Sequence, residues 1–220
     1  MKKTNISLIA IATLFMASCG TGTENKNETE SAPIEVSEGT VCQYQFDPSS
    51  TKITWTAFKT SAKIGVGGTF DNFKIEDTQI ATSEIAVFNE AIFEIHTGSV
   101  NSGNTIRDPK LVEYFFNTMI DGSSIIGSLV KMSAPENGKG EAILSITMNG
   151  ATHEENAMYT LEGTSLVLSA TLDLSKWEAN SAVASLNKAC EILHMGEDGV
   201  SQLWNEVEVE ISTVLKKDCE

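Results

Sequence analysis

Arg107 and Asp108 stand side by side in NTIRDPKLVEYFF, where charged residues, a proline and two aromatics meet. An arginine here could hold a phosphate or carboxylate head, because its planar guanidinium donates two parallel hydrogen bonds to such groups. The competing reading is local: Asp108 caps a helix, Pro109 fills its first position, and Arg107 pairs nearby or is hydrated. Elsewhere reactive groupings are scarce. His96, His153 and His194 have no histidine or carboxylate partner at metal-ligand spacing, so no metal site is expected. There is no GxSxG elbow to supply a nucleophile. GVGGTF, Gly65 to Phe70, lacks both the Lys-Ser/Thr of a phosphate loop and the third glycine of a dinucleotide fingerprint. Its glycines suit a strand bend or a close backbone approach. The expectation is a protein that is not an enzyme and has no cofactor, although a bound lipid could be present.

Cys19 suggests a different chemistry. The sequence MKKTNISLIAIATLFMASCG opens on Lys2 and Lys3, runs through an apolar core from Ile6 to Met16, and reaches Cys19 through Ala17 and Ser18. That core is shorter than the ~20 apolar residues of a spanning helix and has the form of a secretory signal. Small residues leading into a cysteine resemble the bacterial lipobox, with Met16 where leucine is favoured. The resemblance implies that residues 1–18 are a lipoprotein signal peptide and that Cys19 is lipidated. Acyl chains contributing about 0.8 kcal/mol per buried methylene would then anchor the protein to a membrane. Residues 19–40 are polar and acidic, with too little apolar surface to offset ordering, and read as a flexible tether. Gly20 does not resemble the acidic inner-membrane retention signal. The expected location is therefore the outer membrane of a bacterial envelope, facing periplasm or surface. Of the remaining cysteines, Cys42, Cys190 and Cys219, one pair could close a disulfide, or all could be buried thiols.

The chain has 15 Lys and Arg against 30 Asp and Glu, a formal charge of −15. Loss of Lys2 and Lys3 with the signal takes it to −17. Such a charge argues against nucleic acid, whose phosphates need cations, and against electrostatic docking on anionic lipid.

The elements that must position any site are mostly strands. ITWTAFK places Ile53, Trp55 and Ala57 on one face, and LWNEVEVEIS sets Leu203, Val207, Val209 and Ile211 against Glu206, Glu208 and Glu210. A period of two with a charged far side marks a strand half buried on a core. Runs at 41–47, 51–59, 63–76, 79–97, 123–132, 140–148, 151–160, 165–172 and 203–213 read as strands. Asn149-Gly150 reads as a type I′ hairpin turn. Eight or nine sequential antiparallel strands close most economically into a barrel, which removes exposed edges. Two helices interrupt them: one after Asp108, and one from Trp177 to Leu193 that Ser175 or Asn180 could cap and Gly196 ends. Residues 41–220 then make one domain.

Taken in order, Asp47, Gly68 with Phe70, Ser99-Val100, Arg107-Asp108 with Leu111 and Phe115-Phe116, and the strand Gly140 to Gly150 resemble the YceI family. The resemblance spans about residues 43–215. It implies an all-β fold, an extended lipocalin-like antiparallel barrel of about eight strands with two short inserted helices. It also implies an apolar pore that could carry a polyisoprenoid or similar long-chain lipid. The pore lining expected here is Trp55, Phe70, Phe93, Ile95 and Phe116, with Leu144, Ile146, Leu168 and Val209 opposite. Arg107 is the candidate for a head group. Two other readings compete: an envelope interaction or stress module with a vestigial pore and an acidic working surface, and an enzyme on a lipid head group. The barrel could also pair as a homodimer.

Overall fold

Alternating sequence becomes alternating burial most regularly over residues 140–173. The computed structural model describes residues 40–220, so the signal peptide, Cys19 and nearly all of the expected tether lie outside the described residues. Strand β1 (Cys42–Gln45) precedes β2 (Lys52–Lys59), β3 (Ile64–Phe70) and β4 (Phe73–Glu76). Strands β5 (Ile92–His96) and β6 (Val100–Asn101) lead into helix α1 (Arg107–Tyr114). Four longer strands follow: β7 (Ser124–Met132), β8 (Lys139–Met148), β9 (Ala151–Glu162) and β10 (Ser165–Asp173). Helices α2 (Asn180–Ala189) and α3 (Glu191–His194) come before β11 (Leu203–Val214) and β12 (Lys216–Cys219).

Ten of these strands form one antiparallel sheet in the order β4-β5-β7-β8-β9-β10-β11-β2-β3-β6. Its two ends meet. Strands β3 and β4 are one bent strand, broken only at Asp71 and Asn72, and β5 and β6 are another, broken at Thr97 to Ser99. β3 pairs with β6 and β4 with β5. Across the bend, Asp71 N–H donates to the Ser99 carbonyl at 3.1 Å, and His96 N–H donates to that of Asn72 at 3.0 Å. The result is an up-and-down barrel of eight strands, closed along this seam, as the sequence pattern and the family resemblance lead one to expect. The Asn149-Gly150 turn joins Met148 to Ala151 with φ of 51° and 73°, the type I′ geometry that matches strand twist.

Several expectations need correction. The run 79–97 is a strand only over β5. Before it, Ile85–Phe88 is a 3₁₀ turn, and this segment folds under one end of the barrel, where Val87 is fully buried and Phe88 meets Phe46 at 6.0 Å. Strand β1 is not part of the barrel. It pairs with β12, and a Cys42–Cys219 disulfide ties the two, leaving Cys190 as a buried thiol. Phe46, Val87 and Leu215 form a small core of their own at this closed end.

The segment Trp177 to Leu193 is not one helix. Asp173 accepts from Ser175 N–H and caps a 3₁₀ turn, Leu174–Trp177, and Glu178 then turns left-handed with φ 54° before α2 begins. This break has a function in the wall. β9 and β10 pair only from Met158 to Glu162 and Ser165 to Ser169, then part. Trp177 fills the split: it is fully buried, and its Nε1–H donates to the Ile146 carbonyl at 3.0 Å. Beside it Lys176 donates to both oxygens of the buried Glu155 at 2.7 and 2.8 Å.

Candidate ligand-binding site

The end of the barrel opposite the disulfide is built by β2, α1 and α2. Alternation turns Ile53, Trp55 and Ala57 of β2 inward. Trp55 can lie flat because its neighbour on β3 is Gly68. A Cβ there would stand 2.6 Å from the indole and 2.5 Å from the Asn101 carbonyl, so only glycine fits. The indole N–H is satisfied by the Thr69 carbonyl at 3.3 Å.

Helix α1 roofs this space. Its first N–H groups, from Ile106 and Arg107, donate to Asn104 Oδ1 at 3.0 and 3.1 Å. Asp108 is therefore not the cap. Its carboxylate accepts from the N–H and hydroxyl of Ser102 at 2.9 and 2.5 Å, which pins the helix to the end of β6. Below the helix, Phe116 turns into the barrel and meets Phe70 and Phe115 edge-on, at 6.1 and 5.0 Å. From the other side α2 contributes Val183 and Leu186, three apart on its buried face, and its C-cap Cys190 follows four residues on.

Under these helices lies an apolar cavity of about 100 Å³, lined among others by Trp55, Phe70, Phe116, Leu172, Val207 and Val209. It adjoins a larger mouth of about 350 Å³, and the two share Trp55, Ala57, Leu111, Leu186 and Leu203. The mouth is edged by Lys59, Arg107, Lys110 and His194. Lys59 donates to the Leu193 carbonyl at 2.9 Å, and His194 Nδ1 lies 2.9 Å from Asn187 Oδ1. Burial, and then the charges of Lys59 and Lys110, lower the His194 pKa below its ordinary value.

The expected lining is thus divided. Trp55, Phe70, Phe116 and Val209 surround the cavity under the helices. Phe93, Leu144 and Leu168 surround a second apolar cavity of about 60 Å³ at the closed end. Ile95 and Ile146 are buried in the layer between and line neither. One continuous pore is therefore not what these side chains enclose. Phe93 lies over Gly127, where a Cβ would stand 2.1 Å from the ring. Arg107 stands at the mouth, where Trp55 alone of the other nine joins it. Lys59, Lys110 and Ala57 escaped notice as site residues. Lys110 was readable, since a residue three after Arg107 shares its helix face. The burial of Glu155 in the wall, outside this site, was readable too, since it alternates with the inward Ala157 and Tyr159.

Fold and cavity together define a lipocalin-like antiparallel barrel with an apolar hollow beneath two helices. The chain belongs to the YceI-like domain family, which matches residues 44–215. Among solved structures it is similar to BcnA of Burkholderia cenocepacia, at 12% identity and a TM-score of 0.51 over 79% of this chain and 99% of that one. It is also similar to a polyisoprenoid binding domain from Saccharophagus degradans implicated in plant cell wall breakdown. There the identity is 11% and the TM-score 0.53, over 81% of this chain and 99% of the other. No curated protein sequence matches the chain.

Proposed function

We propose that this protein binds and carries a long apolar chain, such as an isoprenoid, without catalysis, and that lipidation at Cys19 holds it in the bacterial envelope. The observation that carries the binding reading is the continuity of the mouth with the cavity under α1 and α2, in a YceI-like domain. The ligand-binding role of the Saccharophagus domain supports the choice of ligand class. Affinity would come from apolar burial, about 25 cal/mol per Å², less the costs of association. A hollow of about 100 Å³ is smaller than the ~150 Å³ cavity that accommodates a benzene ring. A long chain therefore enters only if Phe115, Phe116 and Leu111 yield, and α1 moves outward with them.

The test is mass spectrometry of organic extracts from protein purified from its own membranes, with farnesol titrated into the stripped protein. A stoichiometric long-chain compound, and saturable farnesol uptake, are expected. An empty extract together with no farnesol binding would sink the reading.

A further inference from the structure

We infer that the carried ligand is an anionic amphiphile, its acidic head held at the mouth by Arg107, Lys110 and Lys59 while its chain passes Trp55 into the barrel. This rests on the carrier reading above and specifies its ligand. The chain has twice as many acidic as basic residues, yet the lining of the mouth contains three cations and no carboxylate. All three are half-buried. Among the described residues none of them is in a salt bridge. Arg107 and Lys110 stand three apart on one helix face, where like charges repel. Lys59 approaches from β2 and adds to that field; burial first, and then the charges of Lys59 and Lys110, lower the His194 pKa. An uncompensated cluster of this kind opposes folding, and a bound anion would relieve it, most strongly where water is partly excluded.

The mouth leads directly to apolar walls, so the head and the chain have adjoining places. Free phosphate is a poorer occupant. The acidic exterior repels it at a distance, within the ~8 Å screening length of physiological salt, and it has no chain to bury. The chemistry that fits is a phosphate or carboxylate on a single hydrophobic tail.

Calorimetry on the full chain separates the sources, with farnesyl phosphate, farnesol and inorganic phosphate each titrated at low salt and below any micelle threshold. Farnesyl phosphate is expected to bind at least tenfold more tightly than farnesol, and inorganic phosphate not measurably at millimolar concentration. Arg107→Gln with Lys110→Gln should bring the farnesyl phosphate to farnesol ratio close to one. Lys131→Gln with Lys139→Gln removes the same charge at the closed end and should leave the ratio intact. Equal binding of the phosphate and the alcohol by the unaltered protein would overturn the anionic head while the carrier reading stands. Inorganic phosphate binding as tightly as farnesyl phosphate would overturn it in favour of a free-anion site. Failure of both farnesyl compounds would remove the carrier reading and this inference with it.

Discussion

The two ends of the barrel are built to opposite specifications. At the closed end, β1 and β12 form a covalently tied ribbon, and Phe46, Val87 and Leu215 seal the floor. Asp47 accepts from Ser49 N–H and hydroxyl at 3.0 and 2.7 Å, and Lys216 stands 3.4 Å away. At the open end Lys59, Arg107 and Lys110 form no salt bridge among the described residues, and the turn after β2 is strained. Thr60, a β-branched residue, has φ 61°, and its buried hydroxyl has no hydrogen-bond partner among the described residues. Both features cost stability. The difference teaches where this fold can move: one end is over-determined, the other is held by packing that a ligand could displace.

The sharpest way to break the comparison is to untie the closed end. Cys42→Ser with Cys219→Ser removes a cross-link between residues 177 apart, and should cost about 2–5 kcal/mol in chemical denaturation. Farnesol affinity should not change, because neither cysteine approaches the mouth. Lost binding in a variant that remains folded would show that the ends are coupled.

A second change acts on the other end alone. Ala57 lines both the mouth and the cavity beneath it. Ala57→Trp should fill the passage and lower farnesol affinity at least tenfold, at a stability cost of about 1–3 kcal/mol from overpacking. Undiminished binding would place the ligand elsewhere on the molecule.

The same contrast governs what was legible in the sequence. Strands with one wet face announce themselves by alternation, so β2, β8, β10 and β11 could be read residue by residue. The order of family motifs then supplied the closure. Asp47 was visible as a motif, and its capping contact to Ser49 is local, but its ion-pair partner Lys216 lies far along the chain. The segment before β5 misled because Val87 and Phe88 are apolar for the sake of the floor and not of a wall. The site was half legible. Inward-facing residues could be named, but their division between two hollows depends on how side chains of different strands meet inside the closed barrel. The basic mouth draws on β2, α1 and α3, which only the closed barrel brings together.

The smallest expected effect separates the ends by pH. The His194 pKa is held below 6.5 by burial first and then by Lys59 and Lys110, with Arg107 on the same rim. For a histidine with a lowered folded pKa, the unfolded chain binds the proton first as pH falls. Stability from this group is thus complete above about 6.5 and declines as pH falls from there through the folded value. Asp47 behaves differently. Its hydrogen bonds from Ser49, aided by Lys216, hold its pKa below 3.8. A depressed carboxylate keeps its contribution above 3.8 and loses it only as pH falls further, through the folded pKa. Acidification from pH 7 to pH 5 should therefore loosen α3 and the mouth while leaving β1 and β12 untouched. Amide hydrogen exchange, corrected for intrinsic rate, would show lost protection at Glu191 to His194 and none at Cys42 to Gln45. His194→Gln should remove this pH dependence. Farnesyl phosphate should reduce it in the unaltered protein, because an anion at the mouth favours the imidazolium, whereas farnesol should not. Loosening of both ends in the same pH window would mean that the barrel responds to acid as one unit, and the contrast between its ends would be lost.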